Sequence, residues 1–201
     1  MKLNLILKVK PLLFILLFAP SIYWFASLYI GKMGINPIEK LIRELGEFSL
    51  QLLIITLCIT PLSKIKILKN IIILRRMIGL FAFFYVCLHL STYIIIDHFF
   101  NWEYILKDIY KRPFITFGFS AFLLMTPLAL TSNNISIKKL SFKLWKKIHT
   151  LIYIIAPIAA LHYYLLTKAD KTEPLIYLII IFILIFFRIY VYFLKKFSLP
   201  R

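Results

Sequence analysis

The stretch WKKIHTLIYIIAPIAALHYYLL, residues 145–166, decides the fold of this chain. It is long and apolar enough to cross the roughly 30 Å of hydrocarbon in a lipid bilayer as a helix. It also carries a histidine near each end, His149 and His162. Ionisable side chains within a membrane are costly and usually functional. The stretch therefore predicts a membrane-spanning helix that bears functional side chains at two depths.

The rest of the chain has the same apolar character. Hydrophobic residues make up 62% of its 201 residues, which is more apolar surface than a soluble core of this size could bury. Six runs are long enough to span a bilayer, namely residues 11–31, 45–63, 76–97, 112–131, 145–167 and 174–194. The segments between them are too short for an extramembrane catalytic domain. We therefore expect an all-α membrane protein, a six-helix transmembrane bundle that forms one domain over residues 1–201.

The distribution of charge predicts the orientation, because cytoplasmic loops carry an excess of Lys and Arg. All of the acidic residues and eight of the 25 basic residues lie at one side of the predicted bundle. The other 17 basic residues lie at the opposite side, in the connecting segments, the span ends and the two chain ends there. We therefore expect both termini in the cytoplasm. The net charge of +17 then reflects orientation and contact with anionic membrane lipid, and we infer no nucleic-acid partner.

The N-terminal segment allows two interpretations. Lys2, Lys8 and Lys10 precede an apolar region, as they would in a signal peptide. That region is about twenty residues long, which suits a full membrane span, and its removal would disturb the regular distribution of charge. We therefore interpret residues 11–31 as the first span.

Three of the four histidines lie within predicted spans. A single histidine there could simply bond to a neighbouring helix, but His89 on the third span and His149 and His162 on the fifth form a pattern. Both spans run from the inner to the outer face, so His89 and His162 belong in the outer half, whereas His149 and Arg75 belong in the inner half. At 1.5 Å per residue, the two histidines of the fifth span are about 20 Å apart along the axis, and Arg75 and His89 are about 21 Å apart.

Matched pairs at matched depths predict two planar cofactors, one above the other. Haem suits this geometry, with neutral imidazole as its axial ligand. Structural zinc needs four ligands around one point, and a proton relay needs Asp or Glu at mid-depth, so both alternatives are weaker. At 100° per residue, His149 and His162 lie about 140° apart around a straight helix. We expect Pro157 to kink or rewind the helix between them.

Several stretches resemble one family. RRMIGLFAFFYVCLHLSTY, residues 75–93, and WKKIHTLIYIIAPIAALHYY, residues 145–164, resemble the haem-binding membrane subunits of the periplasmic methionine sulfoxide reductase system, the MsrQ (YedZ) family. The resemblance continues, in the same order as in that family, through INPIEKLIRELGEFSLQLLIITLCITPL, KRPFITFGFSAFLLMTPLALTS and PLIYLIIIFILIFFRIY. It implies a ferric reductase-like bundle in the bacterial inner membrane.

The resemblance also implies site residues. The wider ferric reductase-like group holds two stacked b-type haems between histidine pairs on its third and fifth helices. This chain matches three of those four places with His89, His149 and His162, and has Arg75 at the fourth. Arginine offers no lone pair to a metal ion, so we expect Arg75 to pair with a haem propionate rather than with iron. We expect His98 to have a surface role.

The function implied is electron transfer to the periplasmic molybdopterin reductase subunit MsrP, with no reductase active site in this chain itself. The electron donor would be a quinone or a cytoplasmic flavin reductase. Binding of one or two b-type haems is implied, and FMN is implied by the resemblance alone. Two alternatives remain open: a ferric or oxygen reductase that acts on a small acceptor, and a non-redox membrane scaffold whose histidines only pack.

Overall fold

The computed structural model describes residues 3–197, and the side chains of residues 3–194. Lys2 and Arg201, which contribute to the predicted charge distribution, lie outside this range. The described part is helical and contains no strand. Its α-helices are α1 Leu3–Tyr29, α2 Pro37–Leu62, α3 Arg75–Ser91, α4 Trp102–Lys111, α5 Pro113–Leu130, α6 Asn134–Lys139, α7 Phe142–His149, α8 Ile152–Leu166 and α9 Thr172–Phe197. A 3-10 helix, Lys66–Leu74, precedes α3, and a π-helical turn, Thr92–Asp97, follows it.

Six helical segments are long and apolar enough to cross a membrane. They are Leu3–Tyr29, Pro37–Leu62, Lys66–Asp97, Pro113–Leu130, Phe142–Leu166 and Thr172–Leu194. The prediction of an all-helical, six-span protein is confirmed. Within the bundle, α2 packs most extensively against α3, α5 packs against α8, and α9 lies beside α8. The spans thus include two helix pairs, α2 with α3 and α5 with α8.

The second span begins earlier in the chain than its apolar run predicts. α2 begins at Pro37, and Glu39 lies in its first turn. Proline suits the first helical position because its missing N–H has no partner there, and an acidic side chain in the first turn is stabilised by the helix dipole. The prediction of residues 45–63 followed hydrophobicity alone and therefore left the charged first turns of this helix in a loop.

The fifth span is interrupted, but not where the sequence predicts. α7 ends at His149 and α8 begins at Ile152, so the interruption lies at Thr150 and Leu151. There the amide of Tyr153 donates to the carbonyl of Thr150 at 3.1 Å, an i to i+3 bond of the 3-10 type. α8 then continues through Pro157. The sequence predicts a kink or rewinding at Pro157, whereas the interruption that the structure shows lies before α8 begins.

Tyr85 on α3 is fully buried and fastens α3 to α1. Its hydroxyl donates to the carbonyl of Leu17 at 2.7 Å and accepts from the amide of Ser21 at 3.2 Å. In a regular α-helix these two main-chain groups pair with each other. The hydroxyl therefore bonds to both main-chain groups that would form one α-helical hydrogen bond of α1. The rings of Trp24 and Phe48 pack edge-on around the Tyr85 ring.

A polar network connects α9 to α2 and α8 near the N-terminal end of α9. Gln51 on α2 donates to Glu47 at 3.1 Å and to the hydroxyl of Tyr177 on α9 at 2.9 Å. Tyr177 donates to Glu173 at 3.1 Å. The hydroxyl of Tyr163 on α8 lies 3.1 Å from Glu173 and 3.4 Å from Glu47. Hydrogen bonds between polar side chains join the helices of a bundle, and here the partners come from three different helices.

Candidate functional site

His89 on α3 and His162 on α8 face each other in the bundle. Their ring centroids are 6.2 Å apart, and the two ring planes make an angle of 82°. Each histidine belongs to a different helix pair, so the site lies where the two pairs meet. The structure thus brings together the two histidines that the sequence places in the outer half.

Both imidazole rings bond to the main chain of the partner helix in their pair. Nδ1–H of His89 donates to the carbonyl of Ile42 on α2 at 2.8 Å. Nδ1–H of His162 donates to the carbonyl of Phe114 on α5 at 2.6 Å. A carbonyl can only accept, so Nδ1 carries the proton in both rings and Nε2 keeps a free lone pair. Neither Nε2 has a hydrogen-bond partner among the described residues.

A glycine of the neighbouring helix lies directly against each of the two rings. A Cβ atom at Gly46 on α2 would lie 2.8 Å from Nδ1 of His89, and a Cβ atom at Gly118 on α5 would lie 2.8 Å from Nδ1 of His162. Each glycine comes four residues, about one helical turn, after the carbonyl that accepts the Nδ1 proton. The two helix pairs therefore support their histidines with the same main-chain arrangement.

The spacing of the two rings suits axial ligation of one metal ion. An imidazole nitrogen lies about 2 Å from a metal ion that it ligates, so two rings on opposite sides of one ion have centroids roughly 6 Å apart. The observed separation is 6.2 Å. The part of the chain that the structure describes contains no group of three or more His, Cys, Asp or Glu side chains that could hold a metal ion. Two imidazoles alone suit a metal that arrives with its other ligands, as the iron of haem does.

His149 and Arg75 form a second predicted pair, in the inner half. His149 ends α7 and Arg75 begins α3, and their pairing stays a prediction. The His149 ring stacks on Trp145 with a centroid distance of 4.1 Å, and its Nδ1–H donates to the Trp145 carbonyl at 3.0 Å. Ser132 Oγ lies 3.4 Å from Nε2, but this hydroxyl donates its one proton to Leu128 at 2.7 Å. Nε2 of His149 therefore also keeps a lone pair.

Arg188 on α9 is a candidate site residue that the sequence interpretation does not single out. Its guanidinium donates to the Tyr153 hydroxyl and to the Leu57 carbonyl, both at 2.7 Å, while Nε is buried without a partner. Among the described residues no carboxylate lies within ion-pair distance of Arg188 or of Arg75. A guanidinium group without a counter-charge can bind an anionic group.

The signal that could have found Arg188 is an arginine inside the sixth apolar run, since charged residues within spans are usually functional. The sequence interpretation counted it only toward the orientation.

His98 has a different environment. Its Nε2 lies 3.7 Å from Asp108 and 3.9 Å from Asp97, and its ring packs edge-on against Tyr93. None of these partners is a predicted site residue.

Comparison with known proteins gives three findings. The model of the ferric reductase-like transmembrane component family matches residues 45–160. The chain is 47% identical over 169 residues to "Protein-methionine-sulfoxide reductase heme-binding subunit MsrQ" of Caulobacter vibrioides, which covers 84% of this chain and 80% of that protein. It is 44% identical over 184 residues to the protein of the same name from Herminiimonas arsenicoxydans, which covers 90% of this chain and 84% of that one.

A relative with a different name is similar over the same part of the chain. The Magnetosome protein MamZ of Magnetospirillum gryphiswaldense is 38% identical over 187 residues, and the match covers 90% of this chain but only 29% of MamZ. The bundle is therefore also found as one part of a larger protein. The matched range of the family model contains both glycines, Arg75, His89 and His149, and ends just before His162.

Proposed function

Because this chain belongs to the ferric reductase-like transmembrane family and, within it, to the haem-binding subunits of protein-methionine-sulfoxide reductase, we propose that it passes electrons across the bacterial inner membrane to the periplasmic reductase subunit MsrP. The single observation that carries this proposal is the pairing of His89 and His162. Both termini are cytoplasmic in this scheme, as the distribution of basic residues favours.

In the outer half, His89 and His162 would hold the iron of a b-type haem through their Nε2 atoms. The Nδ1–H bonds to the carbonyls of Ile42 and Phe114 fix the tautomer and the direction of each ring, and they make Nε2 a better donor to iron. A bound haem would supply a one-electron carrier within the membrane. The protein itself contributes ligands, orientation and an apolar surrounding.

In the inner half, His149 would be the one imidazole ligand of a second haem. Arg75 and Arg188 would hold its propionate groups, since each lacks a carboxylate partner among the described residues and Arg188 keeps a buried Nε without a partner. Ionic contacts at the rim of a cofactor are weaker anchors than a metal–ligand bond. The inner site therefore binds its haem less tightly than the outer site.

Electrons enter from the cytoplasmic side, from a quinone or a cytoplasmic flavin reductase, and leave to MsrP. FMN is a further cofactor of this proposal, and it rests on the family resemblance only. Release of flavin from the purified protein on denaturation, measured by fluorescence, tests that part separately.

The main experiment uses protein purified from a haem-replete host and reconstituted in vesicles that contain a reductant. A reduced-minus-oxidised visible spectrum with b-type haem bands is expected. External MsrP with methionine sulfoxide should then reoxidise the haem. Reoxidation by ferric chelate or oxygen alone, at the same rate without MsrP, would support the alternative of a reductase that acts on a small acceptor. Protein without haem absorption would leave the histidines as packing residues and overturn the redox function.

A further inference from the structure

Gly46 and Gly118 lie in the middle of membrane-spanning helices, and each lies against a histidine ring of the outer pair. Glycine destabilises a helix interior relative to alanine, so its presence at two equivalent places needs a physical reason. The reason is space: any side chain at either position would overlap the imidazole of the neighbouring helix, which would come within 2.8 Å of the added Cβ.

We propose that Gly46 and Gly118, together with the carbonyls of Ile42 and Phe114, are positioning residues that hold the two outer imidazole planes nearly perpendicular and so set the electronic state of the outer haem. This inference rests on the haem site of the proposed function. It adds to that function the residues that control the ligand planes, none of which touches the iron.

Each ring is constrained at two places, which fixes its rotation about the Cβ–Cγ bond. The Nδ1–H bond fixes one edge of the ring, at 2.8 Å for His89 and 2.6 Å for His162. The glycine beside it allows the ring to lie directly on the helix main chain, where a methyl group would push the ring away. With both rings fixed in this way, the angle of 82° between them is a property of the fold and does not depend on free side-chain rotation.

The angle between axial imidazole planes has a spectroscopic signature. Low-spin ferric haem with nearly perpendicular imidazoles has strongly anisotropic g values, whereas parallel imidazoles give a less anisotropic, rhombic spectrum. Ligand orientation and hydrogen bonding to the ligand also shift the reduction potential. The wild-type protein should therefore show the strongly anisotropic signal from its outer haem.

The first test compares Gly46→Ala and Gly118→Ala with Gly79→Ala as a matched control. Gly79 also lies within a span, on α3, but a Cβ there would meet its nearest atom, Thr56 Cγ2, at an ordinary 3.5 Å. Low-temperature electron paramagnetic resonance and redox titration are measured on the purified proteins. We expect Gly46→Ala and Gly118→Ala to lose the strongly anisotropic signal and shift the midpoint potential, and Gly79→Ala to change neither. Full haem content with unchanged g values in both test variants would overturn the inference.

The second test separates the positioning role from a general folding defect. It uses a chain that lacks the His89 ring, so that Gly46→Ala no longer brings a methyl group against that ring. In His89→Gly the ring is absent, and free imidazole can occupy its place against Gly46 and the Ile42 carbonyl. Imidazole should restore the low-spin outer haem in His89→Gly and in His89→Gly with Gly79→Ala. In His89→Gly with Gly46→Ala it should bind roughly ten-fold more weakly or not at all, because the methyl group occupies part of the space.

Equal imidazole affinity in the two double variants would overturn the role of Gly46. The failure of this inference can be told apart from the failure of the proposed function. A wild-type protein without haem overturns both. A wild-type protein with low-spin haem, whose spectrum and potential survive both alanine substitutions, overturns the positioning role alone.

Discussion

At the scale of single residues, the two outer histidines are equivalent in every contact that matters for ligation. Each donates Nδ1–H to a main-chain carbonyl, and each faces the other across 6.2 Å. We therefore expect His89→Ala and His162→Ala to have the same effect, loss of the low-spin outer haem, because bis-imidazole ligation needs both rings. The ratio of haem to protein and the low-spin signal measure this. Retention of the full wild-type signal by either variant would show that the two histidines do not share one iron.

The inner residues are not equivalent, so their variants should differ. His149→Ala removes the one imidazole and should empty the inner site, whereas Arg75→Lys keeps a positive charge for the propionates and should retain much of the haem. Arg75→His should give the inner site two imidazoles and tighten binding. Haem stoichiometry and low-temperature spectra of the three variants test this order. Unchanged haem content and spectrum in His149→Ala would make His149 a packing residue.

The sequence predicts which functional side chains lie at the same depth in the bundle. It does not predict the glycines against which the two histidine rings pack. Counting residues along two parallel spans is enough to place His89 level with His162 and Arg75 level with His149, because a helix rises by a fixed distance per residue. Gly46 and Gly118 leave no such signal, since the space that they provide becomes visible only when a ring from another helix occupies it. Arg188 was overlooked because its charge has an equally good explanation in topology.

At the scale of the helix, the interruption of the fifth span separates the segment with His149 from the segment with His162. α7 bears His149 at its last residue, and α8 bears His162. Because the interruption lies at Thr150 and Leu151, the rotation that a straight helix would impose between the two histidines does not apply. Proline is the commonest cause of a kink, which made Pro157 the natural candidate from sequence. The main-chain bonds of the turn, such as Tyr153 N–H to Thr150, depend on tertiary packing that the sequence does not reveal.

The hydrogen bonds that join α9 to α8 and α2 give a testable prediction, and the next residue along the chain provides its control. Tyr163→Phe removes the hydroxyl that lies within hydrogen-bond distance of both Glu47 and Glu173, so the unfolding free energy should fall by about 1 kcal/mol. Tyr164→Phe removes a hydroxyl from the next residue, whose ring lies under the Lys171 ammonium, and should change stability little. Thermal unfolding in detergent measures both. Equal stability of the two variants would show that the Tyr163 hydroxyl does not help to fasten α9 to α8.

At the scale of the whole molecule, the asymmetric charge predicts the orientation. Fusion of a fluorescent protein that matures only in the cytoplasm to the C-terminus should give fluorescence, and insertion of the same reporter in the segment 167–171 between α8 and α9 should not. The physical reason is that basic segments are retained on the cytoplasmic side. Fluorescence from the inserted reporter alone would reverse the orientation, and with it the direction of electron transfer.

Composition and charge were sufficient for the number of spans, because a continuous apolar run has few alternatives in a chain of this hydropathy. They could not predict which spans pack together. That choice depends on close contacts such as those of Gly46 with His89, and on single buried groups such as the Tyr85 hydroxyl. The function of the bundle depends on these same contacts.

The bridge that Tyr85 makes within α1 has a consequence for biogenesis. During synthesis α1 leaves the ribosome long before α3, so the carbonyl of Leu17 and the amide of Ser21 enter the membrane without the hydroxyl that joins them in the finished protein. Main-chain polar groups without a partner are costly in lipid, so until α3 arrives the two groups are expected to pair directly with each other, as in a regular α-helix. The arrival of Tyr85 then places a side-chain hydroxyl on both of them. The fastening of α1 to α3 is thus a late step of assembly, and it follows the order in which the two helices leave the ribosome.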